Sequence, residues 1–186
     1  GTQIFIAEGC DGYNTLDIFN ELGFANLSEK YGIGLIDLNN AEVEEIKNSN
    51  FLNFDAIKYP KIILNSFIIS LPTLIKTEND QIMSASLANM LGCFPAKYYK
   101  GIFSRKKNKL KNIPTENQIS DIVKCKMPEF TIIDSSSYDT IIAGQPFEMD
   151  KQAAKAIGLN WKDIPHLRLI EESFLSKEKE IDNLIN

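Results

Sequence analysis

Two aspartates are the residues of this chain best placed to do chemistry. Asp134 and Asp150 each lie at, or just beyond, the carboxyl end of an apolar run that is typical of a strand. Because α/β sheets bind ligands in a crevice at those strand ends, we expect both carboxylates to point into one crevice. There they would act in catalysis, hold Mg²⁺ or orient a substrate. The side chains expected to supply donors from neighbouring loops are Lys76, Asn89 and Lys97.

A structural role is the alternative for Asp150. This residue lies near the first turn of a predicted helix opened by Pro146. A carboxylate placed there faces the positive end of the helix dipole and accepts amide hydrogen bonds. The aspartates alone therefore leave open whether the chain is an enzyme.

An anion site is the second candidate. Gly9-x-x-Gly12 precedes the first predicted helix and would let backbone amides cradle a phosphate, although the full dinucleotide fingerprint is absent and a plain turn is the alternative. The basic loop, residues 97–111, carries seven positive charges and no acid, so the rest of this chain of net charge −5 carries −12. The residues expected to bind an anionic ligand are Gly9, Gly12, Lys97, Lys100, Arg105, Lys106 and Lys107.

The basic loop has two other interpretations. A lysine-rich run with Asn and Gly is typical of a solvated surface loop. Alternatively, the interleaved Tyr98, Tyr99 and Phe103 would stack on nucleic-acid bases. Nucleic-acid binding is less favoured than binding of a small anionic ligand.

Histidine and cysteine offer little further chemistry. His166 is the single histidine, beside Pro165 at a predicted helix start, and we expect it to pack or cap. Cys10, Cys93 and Cys125 have spacings that suit neither disulfides nor a zinc or iron–sulfur ligand set, so we expect reduced thiols. Cys10 would lie in a strand-to-helix turn, where amide donors lower a thiol pKa.

The period of the apolar residues alternates between two and 3.6, which predicts an α/β domain with helices layered on a central, mostly parallel or mixed β-sheet. Residues 3–38 predict a β-α-β unit with parallel strands, its helix capped by Asn14 or Thr15. Residues 41–58 predict no single element. Further strands are predicted at 67–71, 130–133 and 141–143, and helices at 82–91 and 115–123.

Residues 141–169 give the clearest prediction of local structure. They are typical of a strand, a Gly-x-Pro turn, a helix, a glycine stop and a second helix that starts at a proline. We expect one domain over 1–186, with a charged, frayed tail at 176–186. The longest apolar stretch is interrupted by polar residues and no secretory leader is visible, so we expect a cytoplasmic protein with no membrane partner.

The order of several short motifs along the chain resembles that of the domain of unknown function 362 family, which is often coupled to ferredoxin-like iron–sulfur modules. The resemblance covers most of the chain and implies the same α/β frame and a ferredoxin-type partner. The motifs that carry it include Glu8-Gly9, Ser70-Leu71-Pro72, residues 87–93, residues 131–134, Gly144-Gln145-Pro146, Asp150 and Gly158.

The chain departs from the family pattern at several places. A Lys-x-Lys-x-His run is usual after the strand-ending proline, but here Pro72 is followed by Thr-Leu-Ile-Lys-Thr-Glu, which keeps only Lys76. A lysine usual beside Asn89 is Ala88, and the loop after Asp134 is shortened. The family's first strand and its four-cysteine module are not found, so the chain is interpreted as a divergent or N-terminally truncated member without its own iron–sulfur cluster.

Three functions follow as hypotheses. The first is an α/β domain that binds a small anionic ligand or a redox partner without catalysis, which the missing lysines and histidine favour. The second is an enzyme acting on a small phosphorylated or carboxylated substrate, which requires Asp134, Asp150, Lys76 and Asn89 to share one pocket. The third is nucleic-acid binding through the basic loop. The sequence leaves the cofactor open, except that no iron–sulfur cluster is expected in this chain.

Overall fold

The structure has an α/β fold, as the sequence predicts. The computed structural model describes residues 2–76 and 83–185, with side chains as far as residue 176. Within these residues, helices alternate with strands that pair both parallel and antiparallel, in four separate hydrogen-bonded groups. No helix in this part of the chain is both long and apolar enough to span a bilayer.

The chain begins with the predicted parallel unit. Strands β1 (Phe5–Glu8) and β2 (Gly34–Asp37) are parallel neighbours, joined by helices α1 (Thr15–Glu21) and α2 (Phe24–Tyr31). Asn14 is the cap of α1, because its side-chain oxygen accepts hydrogen bonds from two amides of the first turn. This unit brings the turn after β1 to the carboxyl end of a parallel strand pair.

A hairpin follows in 41–58, where the sequence predicts no single element. Strand β3 (Val43–Ile46) pairs antiparallel with β4 (Ile57–Pro60), and the short helix α3 (Lys61–Leu64) follows directly. The loop between the strands is held from a distance by the fully buried Asp121, whose carboxylate accepts three backbone hydrogen bonds of 2.8, 2.9 and 2.9 Å from it. This long-range contact explains why the local pattern is irregular.

The middle of the chain consists of short elements. In chain order they are β5 (Ile69–Ser70), β6 (Ile75–Lys76), β7 (Met83–Ser84), α4 (Ser86–Asn89) with a 3₁₀ turn at Met90–Cys93, and α5 (Ala96–Tyr99). The strand predicted at 67–71 is therefore only two residues long.

The helix predicted at 82–91 is wrong in its first part. Residue 82 lies outside the described residues, and Met83 and Ser84 form β7, which pairs antiparallel with β6. Helix α4 begins only at Ser86, where Asp150 accepts the first amides. Strand pairing and capping by distant residues thus override the helical period of the local sequence.

The last third matches the prediction made from residues 141–169. Its elements are α6 (Thr115–Cys125), β8 (Phe130–Ser135), β9 (Thr140–Gly144), α7 (Pro146–Ala156) and α8 (Pro165–Ile185). Gly158 has φ of +75° after α7, the conformation that a glycine stop requires. The tail predicted to fray has a helical backbone through Ile185, while side chains beyond residue 176 lie outside the described residues.

Strands β5, β8 and β9 form a mixed sheet with two unlike faces. β5 is parallel and β9 antiparallel to β8. On one face, the β8 side chains are buried, namely Thr131, Ile133 and Ser135. The core beneath this face includes residues of α4, α6, α7 and α8. The other, called here the bare face, is exposed although it is apolar. Its apolar members are Ile69, Phe130, Ile132, Ile141 and Ala143.

Candidate functional site

A pocket of about 460 Å³ opens at the carboxyl end of β1. Most of its wall comes from three segments, namely residues 8–11 after β1, residues 88–92 at the end of α4, and residues 106–111 of the basic loop, and Ser84 and Gln118 complete it. This is the position where α/β folds commonly bind ligands. Of the anion-binding residues predicted from the sequence, Gly9, Lys106 and Lys107 line the pocket.

The turn after β1 touches the segment after α4 through two glycines. A Cβ atom built on Gly9 would lie only 2.1 Å from the carbonyl oxygen of Gly92, so no other residue fits at position 9 without a backbone shift. The Gly9 amide donates to Glu8 Oε1 at 2.7 Å. Gly12 has φ of +84° and lies against the stem of Lys106. Both glycines therefore let other segments approach the turn, and one wall of the pocket depends on that approach.

The buried side chain of Lys107 links the basic loop to this turn by hydrogen bonds. Its Nζ donates to the carbonyl oxygens of Gly9 at 2.8 Å, Gly92 at 3.4 Å and Leu91 at 3.5 Å. Its backbone amide donates to Asp11 Oδ1 at 2.7 Å. Burial lowers the pKa of Lys107, and the nearby Asp11 and Glu8 carboxylates oppose that effect. Lys107 thus acts as an anchor that places a positive charge beside the pocket.

The remaining polar groups of the pocket divide into engaged and open ones. The carboxylates of Glu8 and Asp11 each accept a backbone amide. Asn89 donates to Ser70 Oγ at 3.1 Å. By contrast, the ammonium groups of Lys106 and Lys111 make no hydrogen bond or ion pair with any part of the chain that the structure describes.

The other basic residues predicted to bind an anion do not line this pocket. Lys97, Lys100 and Arg105 are exposed elsewhere on the basic loop. The ammonium group of Lys97 lies 5.6 Å from the centre of the Tyr98 ring. The predicted anion site is therefore split between a pocket and a solvent-facing surface.

Asn39 is a positioning residue that the sequence interpretation missed. Its amide nitrogen donates to the carbonyl oxygen of Cys10 at 2.8 Å and to Thr15 Oγ1 at 3.2 Å. Its side-chain oxygen accepts the Ala96 amide at 2.9 Å. One buried side chain thus ties the turn after β1 to α1 and α5. The sequence did hold a signal for this role. An asparagine directly after a buried strand can hydrogen-bond neighbouring segments through its side-chain amide, besides closing a turn.

The expectation of a lowered pKa at Cys10 is wrong. Burial raises the pKa of this thiol, and the negative charge of Glu8 adds to the effect. Cys10 therefore enters the pocket as a neutral thiol at neutral pH, which is a poor nucleophile.

The two aspartates predicted to share a crevice have different surroundings. Asp150 is fully buried, and its two oxygens accept the amides of Ser86 at 2.9 Å and Leu87 at 3.0 Å. Burial raises the pKa of Asp150 to about 7 against the opposing effect of these amides. Asp134 is exposed at the end of β8, where hydrogen bonding from Ser136, whose amide lies 3.0 Å away, lowers its pKa.

Asp134, Asp150, Lys76 and Asn89 are not brought together at one pocket. Asn89 alone lines the pocket after β1, and Lys76 is exposed on β6. Within residues 2–76 and 83–176, no hydrogen bond or ion pair joins any two of the four, and no cluster of three metal-ligating side chains forms. Asp150 has the structural role that was the alternative for it, since it caps α4 from 63 and 64 residues away.

His166 packs in the core. It is fully buried near the start of α8, and neither ring nitrogen has a hydrogen-bond partner among the described residues. Burial lowers the pKa of His166 to about 4, so the ring is neutral at pH 7.

This fold and pocket define an α/β domain with a candidate ligand site at the end of a parallel strand pair. Residues 1–155 match the sequence profile of the family described as a domain of unknown function, DUF362. Because the match covers most of the chain, the protein belongs to this family, as the resemblance of its motifs implies. No curated protein and no solved structure matches it significantly.

Proposed function

We propose that this chain binds a small anionic ligand, bearing phosphate or carboxylate groups, in the pocket after β1. The observation that carries the proposal is the position of Lys106 and Lys111 at the wall of a pocket of about 460 Å³, where their ammonium groups have no partner among the residues that the structure describes. A pocket of this size lies in the range that small molecules occupy.

The electrostatics of the pocket favour an anion. The charge of Lys107 is buried and therefore poorly screened by water. Glu8 and Asp11, the two carboxylates of the pocket, each accept a hydrogen bond from a backbone amide. This bond offsets part of the repulsion that their negative charges would exert on an anion. An incoming anion would gain charge-assisted hydrogen bonds from Lys106 and Lys111, which are the strong kind.

Binding is better supported than catalysis. Cys10 is a protonated thiol at neutral pH, and Lys107 has its ammonium group engaged by carbonyl oxygens. His166 is in the core, and Asp150 caps α4. Among the residues lining the pocket, none combines an activated nucleophile with a general base.

Titration calorimetry with inorganic phosphate, pyrophosphate and citrate tests this proposal. The double variant K106Q/K111Q removes the two open ammonium groups, and we expect it to weaken binding of the best anion by at least about tenfold. The matched control is K97Q/K100Q, which removes two charges from the same basic loop outside the pocket. We expect that control to stay within about twofold, because Lys97 and Lys100 do not line the pocket and act on a ligand there only at a distance, where salt screens them.

Two results would contradict the pocket as the binding site. One is equal weakening in both double variants, which would indicate a diffuse effect of the loop charge. The other is the absence of binding by the native chain for all three anions at low salt.

A further inference from the structure

We propose that the tip of the basic loop docks this chain onto the surface of an anionic phospholipid bilayer. The tip consists of Ile102 and Phe103, whose exposed fractions are 93% and 101%. These are the highest values among the large apolar side chains that the structure describes. Single exposed apolar side chains are common, but here two of them are adjacent at one apex and lie beside a cluster of positive charges.

The tip is held out by a fixed base. The Ser104 amide donates to the Gly101 carbonyl oxygen at 3.3 Å, which closes a turn with Ile102 and Phe103 at its apex. Below the turn, Lys109 bonds through its amide to the Tyr99 carbonyl oxygen at 3.0 Å. Together with the buried Lys107 anchor, these bonds fix the loop at its base and leave its apex pointing away from the protein.

The charges around the tip define the chemistry of the partner. Lys100, Arg105 and Lys106 are exposed beside it, and none of them forms an ion pair with any residue of 2–76 or 83–176. The remainder of the chain carries −12 against +7 on the basic loop, so the charge balance favours an approach of an anionic surface from the side of this loop. An anionic bilayer offers negative headgroups above an apolar interior, which matches cations around an apolar tip.

The shape of the tip favours a bilayer over other anionic partners. The two side chains at the apex of a turn need only to enter a soft interface, whereas a folded protein would need a cavity that matches them. Of the three aromatic rings expected to stack on nucleic-acid bases, only Phe103 is exposed, because Tyr99 is buried, with its hydroxyl accepting the Lys58 amide, and Tyr98 packs against the core. The expectation of no membrane partner was drawn from the lack of a spanning segment, which surface docking does not need.

Co-sedimentation with vesicles tests the proposal. The probes are phosphatidylcholine vesicles with and without about 30% phosphatidylserine, at about 0.1 M salt. We expect binding only to the anionic vesicles, and loss of at least about tenfold in affinity for I102S/F103S. The matched control is F67S, which removes an aromatic ring that is 71% exposed and lies outside the loop, and which we expect to bind as the native chain does.

Two further measurements separate insertion from simple adsorption. K100Q/R105Q leaves the apolar tip intact and should weaken binding and flatten its salt dependence. In F103W, tryptophan emission should shift to shorter wavelength with anionic vesicles, because the indole enters the apolar interface. Circular dichroism of each variant checks that the fold is kept.

Several outcomes overturn the proposal. They are no binding of the native chain to anionic vesicles, binding that I102S/F103S retains, and an equal loss in F67S. Binding to polyglutamate or to a single-stranded oligonucleotide in place of vesicles would also overturn it and assign the tip to a different anionic partner. None of these results bears on the pocket, since neither Ile102 nor Phe103 lines it.

Discussion

At the scale of single residues, Asp150 and His166 give this protein two opposite dependences of stability on pH. The folded-state pKa of Asp150 is raised from 3.8 to about 7, so the folded protein holds this proton more tightly than the unfolded chain. The stability that results is lost as the pH rises between these values. The folded-state pKa of His166 is lowered from 6.5 to about 4, so its contribution is lost as the pH falls through that range. The two effects oppose each other between about pH 4 and 6.5.

Replacing either Asp150 or His166 should reveal how the other residue makes the free energy of unfolding depend on pH. In H166L, we expect the free energy of unfolding to fall more steeply than in the native chain as the pH rises from about 5 to about 7, because the opposing contribution of His166 is absent. In D150N, we expect it to rise from about pH 4 to about 6.5. Urea unfolding across this pH range measures both slopes. Identical pH profiles in the native chain and both variants would refute this assignment.

The same replacement of His166 tests its packing role at fixed pH. Leucine removes two buried nitrogens that have no partner among the described residues and fills a similar volume. We therefore expect H166L at pH 7.5 to change the free energy of unfolding by less than about 1 kcal/mol, or to raise it. A loss of several kcal/mol in urea unfolding would mean that the ring makes a polar contact.

At the scale of elements, the pocket depends on the contact between the turn after β1 and the 3₁₀ turn after α4. Gly9 and Gly92 form this contact, but only one of them is constrained. A Cβ on Gly9 would lie 2.1 Å from a backbone carbonyl oxygen, whereas a Cβ on Gly92 has its nearest neighbour, Glu8 Oε1, at 3.4 Å. The close contact therefore requires glycine at position 9 but not at position 92.

This asymmetry predicts unequal effects of the same substitution. We expect G9A to lower the free energy of unfolding by about 2–4 kcal/mol and to weaken anion binding, because the two segments must move apart. G92A, the matched control, should cost less than about 1 kcal/mol. Chemical denaturation of both variants measures the difference. Equal costs would show that the two segments are not in tight contact.

At the scale of the whole molecule, the bare face of the β5–β8–β9 sheet is an apolar surface that lies exposed among the described residues. Sheets with antiparallel pairs, such as β8 and β9, commonly leave one face in water, but that face is usually polar. Ile132 is 40% exposed and Ile141 is 70% exposed, whereas Ile133 on the opposite face of the same sheet is not exposed at all. An apolar surface of this kind is a site of contact or of association.

The two faces should respond differently to one substitution. We expect I132T/I141T to change the free energy of unfolding by less than about 1 kcal/mol and to reduce binding of a hydrophobic dye to the native chain. I133T, in the same strand, should cost about 2–4 kcal/mol, because it puts a hydroxyl into the core. Urea unfolding and dye fluorescence give the comparison. A large stability loss in I132T/I141T would mean that this face is covered in the folded state.

Local patterns predicted those parts of the fold that depend on neighbours in sequence. The parallel unit, the cap at Asn14, the glycine stop at Gly158 and the proline start of α8 follow from steric and hydrogen-bonding preferences within a few residues. The strand at 130–133 was predicted as well, and the structure adds its alternation, with Ile133 inside and Ile132 outside, as a period of two requires. These features were correct because tertiary contacts agree with the local preference.

The site was predicted only in part, because its contacts join distant segments. Gly9 and the basic loop were predicted and do contribute to the wall of the pocket, but Lys107 reaches its carbonyl partner across 98 residues and Asp150 reaches Leu87 across 63. Such contacts leave no periodic trace in the sequence. The prediction that Asp134 and Asp150 share a crevice assumed that residues after strands point the same way, whereas Asp150 is turned inward by the amides of α4.

By itself, the sequence determined the fold class, the family, most of the helices, and the concentration of positive charge at 97–111. Only the tertiary structure decided which of those charges is an anchor, which line a pocket and which surround an exposed apolar tip. The physical reason is that charge and periodicity are properties of short segments. Burial and hydrogen-bond partners are set by whichever distant segment packs against them, and here that segment is the turn after β1.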